Sequence, residues 1–291
     1  MIRQITIIGV GLIGGSFALA LKKHGYKGTI VGSDREAVLQ RALARGVVDR
    51  AVARPEEAIS GSDLVLLAAP VGAIVDLIER IGPLLPPDAL LSDTGSTKAE
   101  IVSRAKAVFG AQAAQRFLGG HPMAGKENSG VEFADATLFD NAVWFLIPAG
   151  DPASPLTGKT QELRELVEMI GARPLQMDVD RHDRLCAWIS HLPQMISTAL
   201  AATLEEEFGD DPELHSIGGR ALREMTRISS SSYSMWRDIA HTNTENIQEA
   251  LLQLEQRLAY IRENLRTPGL RDEFDLANKF NSPKSEKGTD S

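Results

Sequence analysis

The sequence has a single cysteine and no long apolar run. Cys186 alone cannot form an intramolecular disulfide, which fits a reducing compartment, and its apolar neighbours favour a buried packing role. No stretch of about 18 apolar residues is present, so no membrane-spanning helix is predicted. Residues 1–10 are typical of a strand rather than a signal peptide, because no cleavage site follows them. We therefore expect a cytoplasmic protein without membrane partners.

Positive charge is also in deficit. The chain has 31 lysines and arginines against 39 aspartates and glutamates, which gives a net charge of −8. Nonspecific nucleic-acid binding needs a basic surface, so no nucleic-acid partner is expected. A local arginine pocket for a small anionic substrate remains compatible with an acidic chain. Hydrophobic residues make up 43% of the 291 residues, which is sufficient for a sizeable core.

The first half of the sequence alternates β-rich runs with helical patterns. This alternation predicts a doubly wound, Rossmann-like parallel sheet in an α/β domain covering residues 1–150. The nearly continuous apolar run at 62–69 is typical of a parallel strand buried on both faces. The predicted strands are 4–9, 28–33, 62–69, 89–93 and 142–148, and the predicted helices are 13–24, 35–46, 74–81 and 98–108.

The second half has a different character. A turn-rich segment at 150–155 leads into residues 151–280, which we assign to a helical domain, with one helix running over 182–204 despite Pro193. A short strand at 174–177 is predicted to extend the first sheet. The helix predicted at 242–265 has an apolar stripe that fits either an intramolecular core or a dimer seam. The polar residues 281–291 are expected to be disordered.

The turn GVGLIG follows a predicted strand and opens a helix. Its first glycine permits the tight turn, the second lets the backbone approach a pyrophosphate, and the third lets helix and strand pack closely. The phosphates then lie at the positive end of the helix dipole. This context predicts a bound dinucleotide, NAD, rather than a helix cap without a ligand. The residues assigned to the phosphates are Gly9, Gly11, Leu12, Ile13 and Gly14.

Asp34 ends the second predicted strand, at the spacing expected of a ribose contact. Its carboxylate can accept hydrogen bonds from ribose hydroxyls, which favours NAD over NADP. Arg35 can stack on adenine or partly offset that preference. Ala69 and Pro70 follow the third predicted strand at the carboxyl edge of the sheet, where small residues leave room for a cofactor. A simple strand terminus is the alternative at this position.

The segment SDTGSTK, residues 92–98, ends the fourth predicted strand and faces the same crevice. We place Thr94 beside the cofactor. Capping of the following helix by Asp93 or Ser96 is the alternative role for this segment.

A long glycine-rich loop is predicted at 119–130, and its His121 can exchange a proton near neutral pH. A connector without catalytic function is the alternative. In the helical half, arginines such as Arg227 lie near Trp236 in the sequence and suit an anionic substrate, because a guanidinium binds a carboxylate through two hydrogen bonds. Surface or intersubunit salt bridges are the alternative for each arginine.

Taken in order, five motifs resemble the prephenate dehydrogenase family, which includes arogenate and cyclohexadienyl dehydrogenases. The motifs are GVGLIGGS, SDTGSTK, GGHPMAGKENSG, HDRLCAWISHLP and TRI followed by MWRDI, within a resemblance from Ile5 to about Leu265. The resemblance implies NAD-dependent oxidative decarboxylation of prephenate to 4-hydroxyphenylpyruvate, carbon dioxide and NADH, in tyrosine biosynthesis. It also implies that the helical domain binds substrate and forms a homodimer.

Carried over by position, the resemblance implies roles for individual residues. His121 takes the proton of the ring hydroxyl, Ser96 hydrogen-bonds and orients that histidine, and Arg227 engages a substrate carboxylate. No metal site is expected. The further residues assigned to the substrate pocket are His191, Gln194, Glu127, Lys126, Trp236 and Glu224.

Three positions depart from the family pattern. Gln194 stands in place of the second histidine of HLPH, Lys126 in place of a small polar residue, and residues 229–233 in place of a segment with Asp-Pro. Because all three adjoin the expected pocket, the choice between prephenate and arogenate, or activity on both, is left open.

Two other functions compete with this one. A β-hydroxyacid dehydrogenase is disfavoured because residues 180–202 lack a helix lysine followed four residues later by an asparagine. A module that senses NAD(H) without turnover is disfavoured by the joint presence of Ser96, His121 and Arg227.

Overall fold

The computed structural model describes residues 1–126, 128–209 and 211–282. Within them, eight strands form one sheet in the order β3-β2-β1-β4-β5-β6-β7-β8. The first six strands have the order expected of a dinucleotide-binding sheet, so the predicted Rossmann-like fold is confirmed. The strands are β1 (Gln4–Ile8), β2 (Thr29–Ser33), β3 (Arg50–Ala51), β4 (Leu64–Leu67), β5 (Leu90–Asp93), β6 (Phe117–Pro122), β7 (Val143–Pro148) and β8 (Arg173–Gln176).

Helices follow most of the strands and make up most of the described residues after β8. The helices beside the sheet are α1 (Leu12–Lys23), α2 (Glu36–Ala44), α3 (Pro55–Ala58), α4 (Val71–Ile81), α5 (Ala99–Phe109), α6 (Ala113–Arg116) and α7 (Gly158–Met169). The later helices are α8 (Val179–Cys186), α9 (Leu192–Phe208), α10 (Pro212–Ile217), α11 (Arg220–Thr226), α12 (Tyr233–Thr242), α13 (Thr244–Glu263) and α14 (Gly269–Asn281). No helix among these residues has the length and apolar character needed to span a bilayer.

Strand β4 shows how the sheet organises the core. Leu64 and Leu66 belong to one buried apolar cluster, and Val65 and Leu67 belong to another. Successive side chains of a strand point to opposite faces, so both faces of the sheet are covered by apolar side chains. This burial explains the continuous apolar run in the sequence and fixes the position of the strand ends, where the glycine turn and SDTGSTK lie.

The sheet is parallel except at one pair. Strands β1, β2, β3, β4, β5 and β6 run parallel, whereas β7 pairs with β6 antiparallel. A parallel connection needs a crossover element, usually a helix, whereas the described residues between 123 and 142 contain only a short 3-10 turn, and β7 returns directly beside β6. Helix α7 then supplies a crossover, so β8 is parallel to β7. The predicted strand at 174–177 therefore extends this sheet.

His121 lies in a strand, so its assignment to a loop was wrong. It pairs with Phe145 of β7, and Pro122 pairs with Trp144. Strand β6 continues to this point because β7 supplies the backbone partners on its open side. The catalytic candidate is therefore held by a sheet ladder rather than by a glycine-rich loop.

The helix predicted over 182–204 is interrupted. Helix α8 ends at Cys186, a π-helical turn spans Ala187–His191, and α9 begins at Leu192. Pro193 has no N–H to donate into the preceding turn, which explains why the regular hydrogen-bond ladder is broken here.

The chain divides into two compact units, Met1–Thr244 and Glu245–Ser291. In the second unit, Arg257 of α13 forms an ion pair with Glu273 of α14 at 2.7 Å. The apolar stripe of α13 is buried at Ile247, whereas Leu258 is 55% exposed. The division at residue 150 stays a prediction. The predicted disordered tail mostly lies outside the described residues, although Asn281 still belongs to α14.

Candidate active site

The glycine turn connects β1 to α1. Gly9 has φ +96°, and a Cβ built on it would lie 2.2 Å from the carbonyl oxygen of Ala68. A Cβ on Gly14 would lie 2.1 Å from the carbonyl oxygen of Gly9. Larger residues at these two positions would therefore disrupt the turn. Gly11, in contrast, has no atom within 4 Å of its built Cβ, so this position faces open space.

Asp34 joins the end of β2 to this turn. Its Oδ2 accepts a hydrogen bond from the backbone N–H of Val10 at 2.8 Å, and its Oδ1 accepts one from the N–H of Arg35 at 2.7 Å. The carboxylate thus stands beside the glycine turn, as a ribose contact requires. Arg35 is exposed.

One cleft brings together six of the residues predicted to bind the cofactor. Leu12, Ile13 and Gly14 form the first turn of α1, and Thr94 follows β5, donating its N–H to the carbonyl of Leu67 at 3.0 Å. Asp76 and Arg80 of α4 also line this cleft and were not predicted from the sequence. The six predicted residues are Gly9, Gly11, Asp34, Arg35, Ala69 and Pro70.

His121 stands at the carboxyl end of β6, at the same sheet edge as the glycine turn, and is 8% exposed. A buried ion pair between Asp93 and Lys98 holds the residue before it. Asp93 Oδ1 accepts the N–H of Gly120 at 3.2 Å, and Lys98 Nζ donates to the Gly120 carbonyl at 2.8 Å. Asp93 also accepts the N–H of Gly95 at 2.7 Å, which lies before the start of α5 at Ala99, so Asp93 does not cap that helix.

The ring of His121 contacts a second histidine. Its Nδ1 lies 2.9 Å from Nε2 of His182, whose Nδ1 lies 2.7 Å from Oδ1 of Asp183. Asp183 in turn accepts the N–H groups of Lys98 at 2.8 Å and Ala99 at 2.9 Å, which cap α5. The carboxylate therefore connects α8 to the segment after β5.

Burial dominates the titration of the histidines. It lowers the pKa of His121 well below the usual value, and electrostatic interactions with His182, Lys98 and His191 lower it further. Burial also lowers the pKa of His182, against the opposing effect of the hydrogen bond to Asp183. Burial lowers the pKa of His191 to about 4. All three rings are therefore neutral near pH 7, and His121 is able to accept a proton.

Two buried donors, one on His191 and one on Trp236, lack partners within the described residues. Nδ2 of Asn243 donates to the carbonyl of Asp183 at 2.8 Å, and the same nitrogen lies 3.2 Å from Nδ1 of His191. Nδ1 of His191 must then accept, which places the proton on Nε2. That nitrogen and Nε1 of Trp236 are buried without a hydrogen-bond partner, and the two rings meet edge to face at 5.8 Å. Two unpaired N–H donors suit a ligand that offers oxygen acceptors.

The remaining predicted substrate residues are placed differently. Gln194 Nε2 donates to the carbonyl of Ile228 at 2.9 Å, and Gln194 Oε1 accepts from Ser231 at 3.2 Å, so this amide holds the turn that contains Arg227. Arg227 is exposed. Lys126 pairs with Asp135 and Glu224 pairs with Arg220, both on the surface. Glu127 lies outside the described residues.

The predicted hydrogen bond between Ser96 and His121 is not present among the described residues, where Nδ1 of His121 faces His182 instead. Ser96 is half-buried. His182 and Asp183 lie in the motif HDRLCAWISHLP, but the sequence alone predicts no role for them. The one sequence feature that points to His182 is its four-residue spacing from Cys186. This spacing places the two residues on the same face of a helix, so a buried Cys186 predicts a buried His182.

Two family models cover most of the chain. The nucleotide-binding domain of prephenate dehydrogenase matches residues 17–175, and the prephenate dehydrogenase dimerization domain matches residues 178–280.

Individual proteins give the same result. A prephenate dehydrogenase of Lactococcus lactis subsp. cremoris (strain MG1363) is 35% identical over 260 residues, which are 88% of this chain and 69% of that protein. A cyclohexadienyl dehydrogenase of Zymomonas mobilis subsp. mobilis is 32% identical over 83% of this chain and 81% of its own length. The crystal structure of prephenate dehydrogenase from A. aeolicus in complex with hydroxyphenyl propionate and NAD+ superposes with a TM-score of 0.81 at 29% identity, covering 96% of this chain and 95% of that one.

Proposed function

The chain belongs to the prephenate dehydrogenase family, and from this premise we propose that it oxidises and decarboxylates prephenate with His121 as the proton acceptor. It is an NAD-dependent dehydrogenase. The observation that carries the proposal is a buried, neutral histidine at the carboxyl end of β6, the sheet edge that also bears the glycine turn. Ligands of open α/β sheets lie at this edge.

The glycine turn and its surroundings fit NAD. The open space at Gly11, the helix start at Leu12 and the carboxylate of Asp34 suit a pyrophosphate and an adenosine ribose. NAD+ supplies the hydride acceptor when bound. The residues proposed to hold it are Gly9, Gly11, Leu12, Ile13, Gly14, Asp34, Arg35, Ala69, Pro70 and Thr94.

His121 takes the proton from the ring hydroxyl of the substrate. Removal of this proton lets the carbon–oxygen bond become a carbonyl as the hydride leaves that carbon. The ring carboxylate departs as carbon dioxide, and its bonding electrons complete the aromatic ring and leave the former carbonyl oxygen as a phenolate. His121 can return the proton to this oxygen, which gives 4-hydroxyphenylpyruvate.

His191 and Trp236 are proposed to bind the substrate through their unpaired N–H groups. The carboxylate and carbonyl oxygens of prephenate can accept hydrogen bonds from these two N–H groups. Arg227 is proposed to bind a carboxylate of the substrate. Ser96 is proposed to lie beside the nicotinamide of the bound NAD. The roles of Gln194, Lys126, Glu127 and Glu224 in the pocket remain predictions.

A homodimer is part of the proposal, because the family model matched over residues 178–280 describes a dimerization domain. Exposed apolar side chains in this region, such as Tyr233, Phe274 and Phe280, support it. Light scattering is expected to give twice the 31.5 kDa mass of the chain. A mass of one chain at micromolar concentration would contradict the dimer. The cytoplasmic location inferred from the single cysteine belongs to the same proposal.

A parallel assay of prephenate and arogenate, each with NAD+ and NADP+, tests the function. NADH formation measured at 340 nm is expected to be fastest with prephenate and NAD+. The similarity to a cyclohexadienyl dehydrogenase favours activity on both substrates as the second candidate. A kcat/KM for arogenate well above that for prephenate would contradict the proposed substrate, and no turnover of either would contradict the activity.

A further inference from the structure

A chain of two hydrogen bonds leads from His121 to a carboxylate. Nδ1 of His121 meets Nε2 of His182 at 2.9 Å, and Nδ1 of His182 meets Oδ1 of Asp183 at 2.7 Å. All three side chains are buried. Water therefore does not compete for these contacts, and each nitrogen must act either as donor or as acceptor.

Asp183 determines which atom donates and which accepts in each of the two hydrogen bonds. Oδ1 of Asp183 also accepts the N–H of Lys98, and Oδ2 accepts the N–H of Ala99. An ionised carboxylate only accepts hydrogen bonds and has no proton of its own to donate. The proton of the contact with His182 must therefore be on Nδ1 of that histidine.

The position of this proton determines the next one. Burial keeps His182 neutral near pH 7, because it lowers the pKa of the ring. A neutral imidazole with its proton on Nδ1 has a lone pair on Nε2. Nδ1 of His121 must then donate to it, and Nε2 of His121 retains the lone pair that accepts the substrate proton.

We propose that His182 is a positioning residue that holds His121 in the tautomer able to act as a base, and that Asp183 fixes His182 in turn. This inference rests on the proposed role of His121. When Nε2 of His121 takes the proton of the substrate hydroxyl, the ring becomes a cation, and its Nδ1–H donates more strongly to His182. The return of the proton to the product oxygen makes the ring of His121 neutral again.

Two substitutions of His182 separate this role from packing. His182→Leu removes the acceptor, so His121 is no longer restricted to one tautomer, and kcat is expected to fall by about 10²-fold or more. KM for prephenate and the Kd for NADH are expected to change by less than about threefold, since His182 is proposed to contact His121 and neither ligand. His182→Gln places an amide oxygen where Nε2 lies and is expected to retain kcat within about tenfold of wild type.

Cys186 provides a matched control. Its Sγ is buried and lies 3.5 Å from Nε2 of His182 and 3.8 Å from Nδ1 of His121. Cys186→Ala disturbs the packing around both rings and leaves the two hydrogen bonds intact. We expect kcat to stay within about threefold of wild type.

Nitrogen NMR of the 15N-histidine-labelled full-length protein reads the tautomer directly, without substrate. The signals of His121 are assigned as those lost in His121→Asn. In wild type and His182→Gln, Nδ1 of His121 is expected to carry the proton, and in His182→Leu the pure Nδ1–H pattern is expected to be lost. A purely structural role of His182 would not change this pattern.

Several results would overturn the proposal. Wild-type His121 with its proton on Nε2 would do so even if His182→Leu failed to fold. Equal losses of kcat in His182→Leu and His182→Gln, or wild-type kcat in His182→Leu, would also overturn it. Absence of prephenate turnover by a wild-type protein with the expected tautomer would count against the proposed function and leave the tautomer assignment intact.

Discussion

At the scale of single residues, burial determines what His121 can do. Burial removes more solvation free energy from a charged imidazole than from a neutral one, so the neutral form is favoured near pH 7. The same burial makes the ring a weaker base. The contact of Nδ1 with His182 leaves Nε2 of His121 as the nitrogen that accepts the proton.

Replacement of His121 by asparagine tests its role as proton acceptor. Asparagine preserves polarity without a group that takes a proton, so kcat for prephenate is expected to fall by about 10²–10⁴-fold. Stopped-flow and steady-state assays measure this, and an unchanged Kd for NADH shows that the nucleotide site is intact. A kcat equal to that of wild type would exclude the role.

Asp34 combines a proposed ribose contact with a structural one. Asp34→Asn removes the charge and keeps an oxygen that can accept from Val10, so the glycine turn is preserved. We expect the preference for NAD+ over NADP+ to fall by about tenfold, equivalent to about 1.4 kcal/mol. Asp34→Ala is the comparison, since it also loses the hydrogen bond to Val10 and is expected to raise KM for both nucleotides. A nucleotide preference that survives in both variants would argue against the ribose contact.

At the scale of secondary structure, the end of β6 is held from two sides. Strand β7 pairs with it along the backbone, and the ion pair of Asp93 and Lys98 binds both backbone groups of Gly120. This arrangement restricts the backbone next to His121 more than a loop would. The interrupted α8–α9 segment supplies the two other buried histidines. Helix α8 carries His182, which contacts His121, and α9 begins immediately after His191.

Removal of one partner of the buried ion pair is expected to be costly. Lys98→Met leaves the Asp93 carboxylate buried and unpaired, which costs about 3–5 kcal/mol of unfolding free energy. The double variant Asp93→Asn/Lys98→Met removes the uncompensated charge and is expected to recover at least half of the loss. Urea unfolding followed by circular dichroism measures both. Additive losses in the double variant would contradict the assignment of the cost to an unpaired charge.

At the scale of the whole molecule, three buried histidines connect stability to pH. The pKa values of His121, His182 and His191 are lower in the folded protein than in the unfolded chain. As pH falls below about 6.5, the unfolded chain therefore binds protons before the folded protein does. Above that pH the three rings cause no pH-dependent loss of stability, and stability is lost progressively below it, down to about pH 4 for His191.

The free energy of unfolding is accordingly expected to decrease between pH 6.5 and pH 5. Each histidine contributes up to about 1.4 kcal/mol per pH unit. Urea midpoints at pH 7, 6 and 5 measure the change in unfolding free energy per pH unit. His191→Gln is expected to reduce that change by the contribution of one histidine. Equal stability at pH 7 and pH 5 would show that these rings do not remain neutral in the folded protein.

The sequence by itself determined the nucleotide-binding half and singled out His121. Glycine spacing, Asp34 and the alternation of apolar strands with helices are local patterns, and local sterics and burial periodicity are enough to read them. The approach of β7 antiparallel to β6, the ion pair beneath Gly120 and the contact of His121 with His182 were decided by the tertiary structure. His182 lies 61 residues from His121 in the chain. A hydrogen bond over that separation depends on strand order and on where α8 packs, and no periodicity in the sequence encodes either.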